Sequence, residues 1–392
     1  MTDRPDDICP RIDDLPSLVA RPAAPPIFPA SVYVCESTDQ AQQLLEDDRS
    51  GYVYQRDGHP NADLFADKCR QLHGSQCAAV TSSGMAALAL AVLSQLENGD
   101  HIVISNQLYG RSTLLLKTET ARLGVACSEV DTCDLDATRS VIRPNTKLLV
   151  VETIANPLLR VADVASLAEV AHEAGASLLV DNTFATPIHC QPLKLGADFV
   201  MESVSKSING HSDVMLGLLC GDKLRWERVP LVLSAWGLAS SPFDCWLASR
   251  GLATLALRME RASSNALAAS EFLSKRSDVQ RVDYPGLPEH VDHALAKRQF
   301  VDGFGAVVTF HLPGGRSAAD AFISAAKRIP FCPSLGEAAT TLSHPQSTSH
   351  RGLTNEQQQH LGISGGTIRL SVGVESIDFV REVLEEGLAG TA

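Results

Sequence analysis

From about His73 onward, apolar residues fall into short β-branched runs separated by longer stretches with a helical repeat. Ala78–Thr81 and His101–Ser105 predict strands flanking a helix from Met85 to about Leu96 that is rich in alanine and leucine. Lys147–Thr153 predicts another strand, and Val164–Ala174 a helix with glutamate and histidine on its polar face. Ser177–Asp181 and Asp198–Glu202 predict two further strands. Alternating β and α units imply an α/β fold whose mostly parallel sheet is covered by helices on both faces. After Pro242 the pattern changes. Trp246 to about Lys275 reads as a long helical stretch interrupted only by Gly251. Gly305–Phe310 (strand), Ala318–Lys327 (helix), Thr367–Val372 (strand) and a closing helix then predict a smaller α+β domain. The first fifty or so residues, rich in proline and acids, show no sustained period and read as an extended arm. The division expected is an arm over 1–57, a large domain over 58–255 and a C-terminal domain over 256–392.

Composition narrows the function classes. A chain of 392 residues, 44% hydrophobic and 20% charged, has the length and balance of a globular protein with two cores. A net charge of −13 argues against a nucleic-acid partner, which calls for a basic face. The opening MTDRPDDICP lacks the basic end and apolar run of a signal peptide, so a cytoplasmic location is expected. Gln71–Leu96 carries no acid, lysine or arginine and is long enough to cross a bilayer. It contains Thr81-Ser82-Ser83-Gly84, however, which reads as a polar turn between strand and helix, and no membrane span is expected. The ten cysteines are scattered without a C-x-x-C pair, as reduced thiols packed like small hydrophobes. His290 and His293 form H-x-x-H with no acidic or thiol partner at a useful distance, so no metal site is expected.

In an open α/β sheet, ligands bind beyond the carboxyl ends of the parallel strands. Four such ends carry candidate chemistry. Ser82-Ser83-Gly84-Met85 opens a helix whose free amides suit a phosphate, although serine there also serves as a simple cap. Asp181 closes the apolar run LLVD, where it needs a cation such as a protonated ring nitrogen, or the amides of a nearby turn. Lys206, in Ser203-Val204-Ser205-Lys206, stands just past a buried strand, where desolvation makes a nucleophilic amine; snorkelling to solvent is the alternative. Tyr109, in Tyr109-Gly110, can stack on a planar ring and move protons, or pack in the core. Together the four describe one cofactor site. No G-x-G-x-x-G follows a strand, and no G-x-x-x-x-G-K-[ST] occurs, which disfavours the main nucleotide cofactors.

From about Tyr52 to Leu388 the sequence resembles the Cys/Met-metabolism pyridoxal-phosphate enzymes of fold type I. These include cystathionine γ-synthase, cystathionine γ- and β-lyases, methionine γ-lyase and the homoserine-ester sulfhydrylases. The likeness rests on YQRDGHPN (54–61), SSGMAAL (82–88), LYG (108–110), ETIANPLLRVAD (152–163) and VDNTFATP (180–187). It continues through PLKLGADFVMESVSKSINGHSDV (192–214), RGLATLALRME (250–260), YPGLPEHVDHALAKRQ (284–299), SLG (334–336) and IRLSVGVE (368–375). The resemblance implies pyridoxal 5'-phosphate bonded to Lys206 as a Schiff base, and Lys206 as the proton carrier once released. It implies Tyr109 stacked on the ring, Asp181 paired with the ring nitrogen, and the phosphate held by the Gly84 and Met85 amides with the Ser203 and Ser205 hydroxyls. Tyr54 and Arg56 would reach that phosphate from a neighbouring subunit, making an oligomer obligatory; a dimer of dimers is the expected form. Arg369, aided by Asn156 and the Ser334 backbone, would grip the α-carboxylate of an amino-acid substrate. The implied chemistry is departure of a group from Cβ or Cγ, followed by thiol addition in a γ-replacement enzyme or by release of a 2-oxo acid and ammonia in a lyase. A non-catalytic homologue would be expected to lack at least one of Lys206, Asp181, Tyr109 and Arg369, all of which are present.

Some positions depart from the family pattern. Ala339 stands where many relatives carry a glutamate that meets a distal ammonium, which argues against cystathionine as the preferred substrate; Glu337 lies two residues away. Arg111 follows Tyr-Gly where relatives carry a small residue. Facing the pocket, it would favour a distal anion, as in an O-succinyl or O-phospho homoserine; turned away, it would pair with a surface acid. HPQSTSH looks like the sulfhydrylases and leans toward γ-replacement. His59, Asn61, Ser207 and Ile154-Ala155 are milder replacements, expected to shift loop geometry only.

Overall fold

The computed structural model describes residues 20, 22–46 and 51–391. Seven strands build the larger sheet: β1 (Cys77–Thr81), β2 (His101–Ser105), β3 (Ala126–Val130), β4 (Thr146–Glu152), β5 (Ser177–Asp181), β6 (Phe199–Ser203) and β7 (Gly217–Gly221). Their order is β1-β7-β6-β5-β4-β2-β3. The run from β6 to β3 is parallel, while β7 lies antiparallel between β1 and β6. The sheet's two faces are sorted by alternation along the strands. Ile102, Ile104, Leu148, Val150 and Leu179 pack with Ala87, Leu88 and Leu90 of the helix Gly84–Gln95. Val103, Leu149, Val151, Leu178 and Val180 pack with Val164, Leu167 and Ala171 of the helix Val164–Glu173. Burial on both faces explains why these strands read as unbroken apolar runs.

A second sheet of order β10-β11-β9-β8 is wholly antiparallel, from β8 (Arg281–Asp283), β9 (Val307–His311), β10 (Thr341–Ser343) and β11 (Thr367–Ser371). The helix Leu255–Ser274 belongs to both halves. Leu255, Met259 and Ala262 pack with the β1–β7 side, and Ala266, Ala269 and Leu273 with the small sheet.

Three expectations need correction. The stretch from Trp246 is two helices, Pro242–Leu252 and Leu255–Ser274, and the break falls at Ala253-Thr254 while Gly251 is helical. The Gly251 carbonyl is drawn off by Thr254 Oγ1 at 3.2 Å and Arg258 Nη2 at 2.9 Å, a side-chain capture that ends the ladder. The arm contains a helix, Thr38–Glu46, with no buried residue, so no core contact imposes an apolar stripe on it. Its residues 25–28 are held by their own chain, through Trp246 Nε1 to Pro25 O (2.9 Å) and Asn61 to Pro26 O and Phe28 N (2.9 and 2.8 Å). The helix Pro60–His73 was also unforeseen, although His59 caps it, proline opens it and Gly74 closes it with φ +65°. Cys9 and the opening residues lie outside the described residues. Cys69, Cys190, Cys220 and Cys245 are buried, and burial raises each thiol above its ordinary value, which keeps them protonated. His290 Nδ1 accepts the Asp292 amide and His293 Nδ1 meets the Pro285 carbonyl, so both are used in local turns.

Candidate active site

The helix Gly84–Gln95 begins against the ends of β6 and β7. Ser83 is its cap, its hydroxyl accepting the Ala86 amide at 3.1 Å. A Cβ on Gly84 would stand 2.9 Å from Ser203 Cβ, so the free amides at the helix start lie directly beside Ser203. That approach makes an anion cradle of the kind expected for a phosphate. Ser205 departs from the expectation: its hydroxyl accepts the Leu216 amide (3.1 Å) and donates to the Leu216 carbonyl (3.3 Å), tying the turn after β6 to the approach to β7. In this arrangement its single donor is already used.

β4 and β5 end side by side in acids, Glu152 opposite Asp181. One Asp181 oxygen accepts the Thr183 amide (3.0 Å) and hydroxyl (2.5 Å). Desolvation pushes its carboxyl up to about 6, opposed by the Thr183 bonds and reinforced by Glu202. Glu152 is raised well above the carboxylate range by burial and then by the Asp181 charge. Two neighbouring acids, Glu152 buried and Asp181 half-buried, are suited to receive a cation, as a protonated ring nitrogen would supply. The case made for Asp181 from sequence, an acid closing an apolar strand, applies equally to Glu152, which was missed. Glu152 accepts the Tyr109 amide at 2.6 Å and the Asn156 amide at 3.4 Å, placing both residues at one strand end. The Tyr109 side chain is 40% exposed, a ring with a free face.

Lys206 lies three residues past β6. Its Nζ donates to Ser334 Oγ at 2.9 Å. Burial lowers its pKa; Glu337 opposes the shift and Arg369 adds to it. This is the desolvated amine a nucleophilic lysine requires. Arg369, in β11, is 4% exposed and reaches across from the small sheet. Its Nη1 donates to Asn156 Oδ1 and its Nη2 to the Ser334 carbonyl, both at 2.9 Å, while its Nε is buried without a partner among the described residues. Desolvation lowers it to about 10. An unpaired buried guanidinium is costly, and a carboxylate ligand would complete it. His350, also missed, is buried nearby and brought down to about 4 by burial and then by the Arg369 charge, which leaves the imidazole neutral.

A cavity of about 910 Å³ opens beside this cluster, lined by Tyr109, Arg111, Asn156, Arg160, His350 and Arg351 among others. Arg160 is bound to Asp292 at 2.6 Å. Arg111 is on the cavity wall and exposed, with no acidic partner among the described residues. Tyr54 and Arg56 lie elsewhere: the guanidinium sits 5.0 Å over the Tyr54 ring and reaches Ser234 at 3.4 Å. No contact among the described residues links either one to Gly84, Ser203 or Lys206.

The residues fit pyridoxal phosphate: an anion cradle, a desolvated lysine, paired acids for a ring cation and a ring-stacking tyrosine. The bound cofactor supplies an electron sink for charge developing on the substrate's carbons.

Comparison with known proteins agrees. The sequence matches the family described as Cys/Met metabolism PLP-dependent enzyme over residues 16–389. O-succinylhomoserine sulfhydrylase of Pseudomonas aeruginosa is 39% identical over 363 residues, covering 93% of this chain and 90% of its own. L-methionine gamma-lyase of Fusobacterium nucleatum subsp. polymorphum is 38% identical, covering 93% of each. The structure of cystathionine gamma synthase from Xanthomonas oryzae pv. oryzae, in complex with cystathionine, superposes with a TM-score of 0.89 at 36% identity, covering 94% of this chain and 93% of that one. With a matching sequence over nearly its whole length and a site shaped for the cofactor, the chain belongs to the Cys/Met-metabolism family of PLP-dependent enzymes, acting as a transferase or lyase on small amino-acid substrates.

Proposed function

We propose that the chain catalyses γ-replacement on a homoserine ester with an acidic acyl or phosphoryl leaving group, a thiol being the incoming nucleophile. Arg111 carries this reading: an unpaired guanidinium on the cavity wall, two residues from Tyr109, suits a distal carboxylate or phosphate. The sulfhydrylase relative and the absence of an acid at Ala339, an exposed position, lean the same way. Lys206 holds the cofactor and, when released, moves protons at Cα and Cβ. Tyr109 stacks on the ring and assists as acid or base. Asp181 meets the ring nitrogen, and Gly84, Met85 and Ser203 hold the phosphate, with Ser205 joining only if its hydroxyl leaves Leu216. Arg369, held by Asn156 and the Ser334 carbonyl, grips the α-carboxylate.

The active unit in this reading is a homo-oligomer, a dimer of dimers, working in the cytoplasm. Exposed Val32, Val34 and Leu45 on the arm, with Tyr54 and Arg56 away from their own cradle, support a neighbouring copy there. The arm over 1–57, the large domain over 58–255 and the C-terminal domain over 256–392 are the units proposed. Among the described residues no helix is long and apolar enough to cross a membrane.

The test has two steps. Purified protein is expected to show a visible cofactor band that borohydride bleaches and that Lys206→Ala lacks. Wild type is then expected to prefer O-succinyl over O-acetyl homoserine with cysteine or sulfide, and Arg111→Gly to lose about threefold to fivefold of that preference, the worth of one exposed charge pair of about 1 kcal/mol. Ester preference unchanged in Arg111→Gly would overturn the leaving-group assignment and favour a lyase.

A further inference from the structure

Arg258 is buried, 9% exposed, and has no part in the site described above. Its place is beneath the turn over 203–210 that carries Lys206. That turn is held partly by itself: Lys206 N donates to the Ser203 carbonyl at 3.1 Å, Asn209 N to the Val204 carbonyl at 3.0 Å and Gly210 N to the Lys206 carbonyl at 2.8 Å. On one side the 334–338 segment presses against it. A Cβ on Gly336 (φ +83°) would lie 2.9 Å from the Lys206 carbonyl carbon, and Ala338 N donates to the Gly210 carbonyl at 2.9 Å. The carbonyls of Ser207 and Ile208 take no part in these bonds, and both residues are buried, where a carbonyl needs a partner.

Arg258 supplies both. Its Nη1 donates to the Ser207 carbonyl at 2.6 Å and its Nη2 to the Ile208 carbonyl at 3.0 Å. The same Nη2 reaches the Gly251 carbonyl at 2.9 Å, and Nε reaches Thr254 Oγ1 at 3.0 Å. One side chain therefore joins the lysine turn to the break between the helices Pro242–Leu252 and Leu255–Ser274. Room for it depends on glycine: a Cβ on Gly210 (φ +74°) would stand 2.6 Å from the Arg258 Cζ. Burial lowers its pKa, and among the described residues no carboxylate pairs with it, so carbonyl dipoles alone meet its charge. Burying an ion on those terms is costly. What a guanidinium gives in return is a planar fork of donors in fixed directions, able to hold several carbonyls at once. The charged or titratable groups that act on the Lys206 amine are others, Glu337, Arg369 and Cys332.

We propose that Arg258 is a positioning residue for Lys206: its guanidinium clamps the Ser207 and Ile208 carbonyls and so fixes the backbone from which the lysine reaches the cofactor. This rests on the reading of Lys206 as the cofactor lysine. Arg258 touches neither cofactor nor substrate in this role. The lysine side chain must swing between bonded and released positions, and the clamp keeps that motion in the side chain and out of the turn. Because Leu255–Ser274 gives one end to each core, the clamp also ties the lysine turn to the helix that joins the two halves.

The test begins on the apoprotein, so that it does not depend on turnover. Amide hydrogen exchange is followed by mass spectrometry in wild type, in Arg258→Met, which keeps an apolar stem and removes every donor, and in Arg258→Lys, which keeps the charge without the fork. Exchange across 204–210 is expected to quicken at least about tenfold in Arg258→Met and about threefold in Arg258→Lys, the scale set by losing charge-assisted hydrogen bonds. β9 and β11 are expected to exchange as in wild type. The holoprotein then gives a signal that lowered stability alone does not move. Visible circular dichroism of bound pyridoxal phosphate, per unit of its absorbance, is expected to fall in Arg258→Met and to recover in part in Arg258→Lys. Unchanged exchange across 204–210 in Arg258→Met, an equal rise in β9 and β11, or unchanged dichroism would overturn the proposal. Should Arg258→Met fail to fold, Arg258→Lys decides, and wild-type exchange in it would overturn the proposal. A wild type that takes up no pyridoxal phosphate defeats the reading of Lys206 separately, whatever the apoprotein exchange shows.

Discussion

Among single residues, the paired acids at the ends of β4 and β5 have the clearest consequence. In the absence of a cation Asp181 holds its proton up to about 6, above the ordinary carboxylate value. Pairing with a ring cation requires the ionised form, so cofactor binding below that pH must first expel a proton. Affinity of the apoprotein for pyridoxal phosphate is therefore expected to be level above pH 7 and to weaken steadily below about 6. The sign follows from a raised carboxyl pKa: acidification favours the unliganded, protonated form. Fluorescence titration of Asp181→Asn at pH 7.5 is expected to show a loss of roughly thirtyfold, about 2 kcal/mol for one partner of a largely desolvated charge pair. The pH dependence of that variant should be flattened. Affinity that stays constant from pH 5 to 7.5 in wild type would contradict the assignment of Asp181.

At the scale of elements, legibility followed burial. β2, β4 and β5 are sunk on both faces and read directly as apolar runs. β3, at the sheet edge with the sequence ACSEV and exposed positions, offers no such run, and β8 and β10 are three residues each. β7, GLLCG, was hidden because two of its five residues are glycines. One of these is explained by contact: a Cβ on Gly217 would lie 2.1 Å from the Ser83 carbonyl oxygen. Gly217→Ala must displace the cap of the helix Gly84–Gln95, and an overpacked contact of this kind costs about 1–3 kcal/mol. Urea denaturation is expected to show that loss together with weakened phosphate binding at the cradle; wild-type stability would mean that β7 and the helix cap are not in close contact. The placement of the candidate residues was legible where they close or follow an apolar run: Asp181 ends β5, Lys206 follows β6 and Tyr109 follows β2. It was not legible where a side chain's setting depends on a neighbour distant in sequence, as with His350 near Arg369.

Across the whole molecule, the helix Leu255–Ser274 joins the two halves by giving one end to each core. Neither half can unfold without exposing part of this helix, which couples their stabilities. Thermal unfolding of the apoprotein followed by far-ultraviolet circular dichroism and by tryptophan fluorescence is expected to give coincident single transitions. Two separated transitions would show that the halves melt independently.

The bonds of Arg369 lead further. It stands on the small sheet and is held by Asn156 from the large half and by Ser334 from the 334–338 segment. The acids, cradle and lysine turn stand on the larger sheet and the turns that leave it. The guanidinium of Arg369 and the acids and lysine it would face are thus carried by different stretches of chain. A small shift of the second sheet would carry that guanidinium toward or away from the strand ends while leaving the acids, cradle and lysine turn in register with one another.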